Sequence, residues 1–173
     1  MSRKFLLDAN TFIEAKDRYY GFDICPGFWA SLLALHKSKR VFSIDRIQEE
    51  LTGHDDNLKD WVNARVPETF FKKTEDLEVI ETYRQMMNWV YSQPQFTDAA
   101  RSDFASGADG WLIAYAAVNQ LVVVTHEQFA PDAKSRVKIP NVCMEYAIEW
   151  VDTFATLREV GAKFVRSKKR AST

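Results

Sequence analysis

The sequence predicts an α/β fold, a central and mostly parallel sheet with helices on both faces, giving a three-layer α/β/α sandwich. Short apolar runs alternate along the chain with segments whose apolar residues recur at helical spacing. The run Leu121-Val122-Val123-Val124 has no polar position and three β-branched residues, which is the pattern of a strand buried on both faces of a parallel sheet. With 173 residues, 46% hydrophobic and 27% charged, the chain has the size and mixture of one globular domain, predicted over 1–165. A helical elaboration is expected at about 55–93, and residues 166–173 form a basic tail.

Phe5-Leu6-Leu7 is the first strand, closed by Asp8. Residues 27–37 have apolar side chains at helical spacing, with basic residues following at the C-terminal end. Residues 41–44 form the second strand, and Asp45 with Gln48 has the spacing of a capping box for a helix through Leu51, stopped at Gly53. The elaboration contains a strand at 70–72 and a strong helix over 76–91. Ser106 and Asp109 repeat the Ser-x-x-acid spacing before the apolar residues 111–118, so a helix starts there. Residues 121–124 are the next strand, and Lys138-Ile139-Pro140 is expected as a last edge strand whose pairing Pro140 limits. A terminal helix runs from about 152 to Gly161, a suitable residue just past a helix end.

A net charge of -1 excludes the overall basic field that drives non-specific nucleic-acid binding. Basic residues are instead local, at Lys37, Lys39 and Arg40, at Lys134, Arg136 and Lys138, and in the tail at Arg166, Lys168, Lys169 and Arg170. Cys25 and Cys143 form no CxxC pair, which argues against a disulfide framework or structural zinc and for a cytoplasmic setting. The N-terminal apolar run is too short for a signal peptide, and no stretch approaches the ~20 apolar residues of a membrane helix. No Gly-x-Gly-x-x-Gly follows the first strand, which disfavours a dinucleotide-binding fold.

Four acids stand at positions where chemistry is expected. Asp8 and Glu127 follow the first and the 121–124 strands, and ligands of open parallel sheets bind beyond the carboxyl ends of strands. Asp109 opens the helix before the 121–124 strand; because helix and strand run oppositely, its start is expected at the other edge. Glu50 is separated from Glu49 by helix geometry: at about 100° per residue, the stripe of Ile44, Ile47 and Leu51 lies closer to Glu50. Glu50 therefore borders the interior and Glu49 faces water. Asn10 can orient Asp8 or hold a water. His126 is a candidate phosphate contact, while His36 and His54 show no ligand spacing.

Three segments resemble the PIN-domain superfamily, most nearly a bacterial PIN-like branch of unknown function similar to toxin-antitoxin ribonuclease toxins. Residues 5–13, FLLDANTFI, are similar to that family's first strand with its acid and the polar residue two places on. Residues 108–116, ADGWLIAYA, resemble its acid-plus-helix motif, and 123–129, VVTHEQF, its strand-Thr-x-acid motif; Glu50-Leu51 fits the remaining acid. The resemblance spans roughly 5–145 and implies that Asp109 joins the other acids. It implies a metal-dependent endoribonuclease, with Asp8, Asp109 and Glu127 on Mg²⁺ or Mn²⁺ and Glu50 and Asn10 assisting. RNA as substrate and an antitoxin protein as partner come from the same resemblance, and a homodimer is left open by the sequence. Glu127 departs from the family's usual Asp, and the 55–93 elaboration exceeds a minimal member. Oxygen-only ligands suit hard ions, and such a cation relieves the repulsion among converging carboxylates. Two alternatives remain: a haloacid-dehalogenase-like phosphohydrolase using Asp8, weakened because Asn10 replaces its second acid, and a catalytically silent RNA- or protein-binding module.

Overall fold

The computed structural model describes residues 2–165, so the basic tail expected at 166–173 lies outside the described residues. Five parallel strands, β1 (Phe5–Leu7), β2 (Val41–Ile44), β3 (Phe71–Lys72), β4 (Val122–Val124) and β5 (Trp150–Val151), form one sheet in the order β3-β2-β1-β4-β5. Every residue of β1, β2 and β4 is buried, as strands sandwiched between helices must be. Phe5 stands opposite Val41 on one side and Val122 on the other, which fixes β1 as the central strand. Each such apolar side chain contributes about 1.5–3 kcal/mol when fully buried.

Nine α-helices occur among the described residues: α1 (Ala9–Glu14), α2 (Pro26–Lys37), α3 (Asp45–Thr52), α4 (Asn57–Arg65), α5 (Leu77–Ser92), α6 (Asp98–Ser106), α7 (Asp109–Asn119), α8 (Ile139–Glu145) and α9 (Thr153–Glu159). The chain builds β1, β2 and β3 outward in one direction, then returns to build β4 and β5 on the other side of β1. Right-handed crossovers therefore carry the helices to opposite faces before and after that reversal, completing the α/β/α layers. Among the described residues no helix is long and apolar enough to cross a membrane.

Several local expectations are corrected. Lys138-Ile139-Pro140 is not a strand: Lys138 caps α8 and Pro140 lies in its first turn, where a missing N–H costs nothing. The edge strand is β5, formed by Trp150 and Val151. Phe70 ends a short 3-10 turn, leaving Phe71 and Lys72 as β3. Neither capping box forms. Asp45 is a helical residue whose carboxylate accepts from the Thr74 amide and hydroxyl at 3.2 and 2.9 Å, tying α3 to the segment after β3. Ser106 ends α6, which lies outside the predicted elements, and its hydroxyl donates back to the Asp103 carbonyl. The terminal helix matches expectation, capped by Asp152, with Gly161 beyond it at φ +70°.

Gly110 sets how closely α5 and α7 approach. A Cβ there would stand 2.8 Å from Met87 Cε and 2.9 Å from Tyr83 Cε2. Met87 can swing away, but the Tyr83 ring is stacked on Trp111 at 3.8 Å and its hydroxyl donates to the Ala105 carbonyl at 2.9 Å. Gly→Ala within a helix ordinarily gains up to about 1 kcal/mol. Here overpacking opposes that gain, so Gly110→Ala is expected to lose about 1–3 kcal/mol of stability by urea denaturation. A more stable variant would show that the ring yields and the packing account is wrong.

Candidate functional site

The chain reverses its building direction between β1 and β4, and an open parallel sheet leaves a crevice beyond the strand ends at such a point. Asp8 is the residue after β1, and its amide donates to the Val124 carbonyl of β4 at 3.0 Å. Its side chain is 1% exposed. Thr125, the residue after β4, is equally buried, and its hydroxyl donates to Asp8 Oδ2 at 2.9 Å. The same hydroxyl accepts from the Glu127 amide at 3.2 Å, which directs its single proton toward Asp8.

Asp109 lies at this edge, contrary to the expectation from strand and helix direction. α7 ends where β4 begins and runs antiparallel to it, so the helix start lies beside the end of β4. Its charge is among the largest influences on Asp8. Asp8, Ala9, Asn10, Arg46, Glu49, Glu50, Asp109 and Arg136 all line one open cavity of about 520 Å³. Both Glu49 and Glu50 are exposed on its rim, which corrects the assignment of Glu50 to the interior border. Glu50 differs from Glu49 in its surroundings. Burial in the concave rim raises its pKa despite the exposed surface, and its charge reaches Asp8 and Asp109.

Glu127 is also at the strand ends, but both of its oxygens are engaged. Oε2 accepts the Ile139 amide at 2.8 Å, closing the start of α8, and Oε1 pairs with Arg136 at 2.6 Å. Glu127 nevertheless raises the pKa values of Asp8 and Asp109. His126 does not face the acids: Nε2 meets the Thr153 hydroxyl at 3.0 Å and the ring packs between Tyr19 and Phe154. His36 is a core residue held by the Val41 carbonyl and Thr69 hydroxyl. Among the described residues no three carboxylates, histidines or cysteines stand close enough together to grip one ion as the side chains now lie.

Thr125, Arg136 and Arg46 are the site residues that sequence reasoning did not assign roles. Thr125 sat inside the strand-Thr-x-acid segment, so its signal was present; the pairing of Arg136 with Glu127 and the placement of Arg46 depend on tertiary contacts.

Burial and the neighbouring Asp109 push Asp8 up to about 8, against an opposing contribution from the Thr125 hydroxyl. Burial and Glu127 push Asp109 up to about 6, with Arg136 opposing. The folded chain therefore holds protons that the unfolded chain releases. Stability from this source is complete below the ordinary value of 3.8 and is lost as pH rises, through about 6 for Asp109 and about 8 for Asp8. In metal-free buffer, the melting temperature is expected to fall between pH 4 and 8 and Asp8→Asn to flatten that decline. A wild-type melting temperature that rises over this window would contradict the assignment.

No curated protein matches the sequence. Residues 5–164 match the family described as a domain of unknown function, DUF4411, and by that extent the chain belongs to this family.

Proposed function

We propose that the chain is a divalent-metal-dependent endoribonuclease of PIN-like type, acting in the cytoplasm as the toxin of a toxin-antitoxin pair. One observation carries the reading: a buried Asp8, raised to about 8, shares its field with Asp109, Glu127 and Glu50 at the switch point of a parallel sheet. Such mutual repulsion is costly for a site that serves only structure, and a hard cation relieves it.

The donor set fits Mg²⁺ or Mn²⁺, because the candidate side chains offer carboxylate and amide oxygens around an open polar cavity. Asp8, Asp109 and Glu127 would hold the ion. When bound, it supplies an activated water and stabilises charge developing on a phosphodiester. Thr125 keeps Asp8 oriented, Asn10 steadies Asp8 or a water, and Glu50 positions the attacking water. Gathering the three ligands requires Glu127 to exchange Arg136. The Arg136 side chain is 60% exposed but that of Glu127 is 9% exposed, so releasing Arg136 is costly unless the cation takes its place as the counter-charge. RNA rather than DNA, and an antitoxin that covers the acids, are supported by the PIN resemblance of residues 5–13, 108–116 and 123–129.

A second reading, a silent RNA- or protein-binding module, is favoured by the spread of the acids and the engagement of Glu127. Calorimetric titration with Mn²⁺ separates the two. The nuclease reading expects heat that Asp8→Asn removes, cleavage of total RNA with Mn²⁺ but not with chelator, and none by Asp109→Asn. Expression should arrest growth, relieved by Asp109→Asn. Thr125→Val should lower metal affinity or activity by about 10–100-fold, as loss of a residue that orients a ligand does. A folded protein with neither Mn²⁺ heat nor RNA cleavage would leave the silent module standing.

A further inference from the structure

The acidic cavity has an arginine that none of its acids neutralises. Arg46 lines the cavity with Asp8, Glu49, Glu50 and Asp109, yet among the described residues it makes no ion pair with any of them. It is held by other means. The guanidinium carbon lies 4.0 Å over the Trp111 ring, which is itself stacked on Tyr83 at 3.8 Å and 10°. Its Nε donates at 3.2 Å to the hydroxyl of Thr74, a buried residue fixed by Asp45. Ring and hydroxyl therefore set the plane of the guanidinium, while its two terminal nitrogens donate to no protein acceptor among the described residues.

A fixed, planar fork with two open donor groups fits a phosphate, which accepts both in parallel. Its place in the topology adds to this. Arg46 belongs to α3, which follows β2, whereas Arg136 lies in the segment after β4, so the two cations flank Asp8 from either side of β1. A negatively charged strand approaching an acidic cavity needs such fixed cations, because the chain as a whole carries -1.

We infer that Arg46 is a substrate-binding residue that grips a backbone phosphate of a single-stranded nucleic acid next to the phosphodiester facing the acids. The inference rests on the nuclease reading and deepens it. The fork is held ready before binding, so its contribution goes to affinity and register and the acids retain the chemistry.

The test measures binding of a fluorescein-labelled single-stranded RNA 12-mer by anisotropy, with Mn²⁺, in the full chain with Asp109→Asn to prevent cleavage. Adding Arg46→Ala is expected to weaken binding about tenfold, as losing a charged hydrogen-bonded contact does. The slope of log affinity against log salt should fall by about 0.7, one single-strand phosphate contact. Arg46→Met, which keeps the stem over Trp111, should behave like Arg46→Ala, whereas Arg46→Lys should keep the salt slope and lose part of the affinity. In the otherwise native chain, Arg46→Met should raise KM with kcat unchanged. Unchanged affinity and slope in both neutral variants, or no RNA binding by the Asp109→Asn chain, would overturn the assignment. An equal loss of Mn²⁺ affinity in Arg46→Met would also overturn it, by showing that Arg46 acts through the acids. Failure of the nuclease reading is read separately, from Mn²⁺ heat and RNA cleavage by the native chain.

Discussion

A carboxylate buried at the centre of the sheet is the constraint on which the rest of this structure depends. Asp8 ends the strand with neighbours on both sides, and it is 1% exposed. Taking an ionised carboxylate out of water is expensive unless it is paired or hydrogen-bonded. Here one hydroxyl, that of Thr125, meets it, while the nearby charges that raise its pKa are all negative. The fold supplies a rigid frame for this arrangement and, among the described residues, no basic partner for Asp8. Such an arrangement disfavours the charged form of Asp8 at the strand ends, so its carboxyl keeps a proton to higher pH than an ordinary aspartate.

The frame was legible because its signals are local. Runs such as Phe5-Leu6-Leu7 and Leu121 to Val124 cannot be half-exposed in water, and their length fixes them as short buried strands. Helix direction places Asp109 at the edge opposite to the one expected from the sequence: a helix antiparallel to the strand it feeds begins beside that strand's end, next to Asp8. Each failure traces to a particular bond. Asp45 with Gln48, and Ser106 with Asp109, have capping-box spacing, but Asp45 is taken by Thr74 and Ser106 by the carbonyl of Asp103. At Lys138-Ile139-Pro140 the extended reading held only for Lys138, because Glu127 accepts the Ile139 amide and makes a helix start possible. At Asp45 and at Lys138 a contact made by the fold decided between two locally acceptable conformations; at Ser106 a bond back within its own helix did.

The arginines mark the limit of sequence reading. Nothing in the order of residues distinguishes Arg46, beside two glutamates on an amphipathic helix, from a solvated surface charge. Its position is set by Trp111 on α7 and Thr74 after β3, both distant in sequence. The helical stripe does not separate Glu50 from Glu49 by exposure. Both are exposed on the cavity rim, and what distinguishes Glu50 is that its surroundings exclude enough water to raise its pKa.

The acidic cluster has three means of reducing its own repulsion, and they compete. A proton on Asp8 is one, favoured by burial and by Asp109. The guanidinium of Arg136 is another, already paired with Glu127 and lowering Asp109. On the nuclease reading a divalent cation is the third, and it must displace the other two. On that reading each displacement would cost metal affinity and leave a group with a use: loss of the proton would leave the carboxylate able to bind, and the freed guanidinium would stand beside the cavity that a phosphate would enter. A cluster held by a proton on Asp8 and the guanidinium of Arg136 avoids the full repulsion of four bare carboxylates. Tight binding of the cation before substrate would make Arg136 redundant. On the nuclease reading its exposed position, with the opposing oxygen of Glu127 committed to α8, would suit a site completed when cation and phosphate enter together.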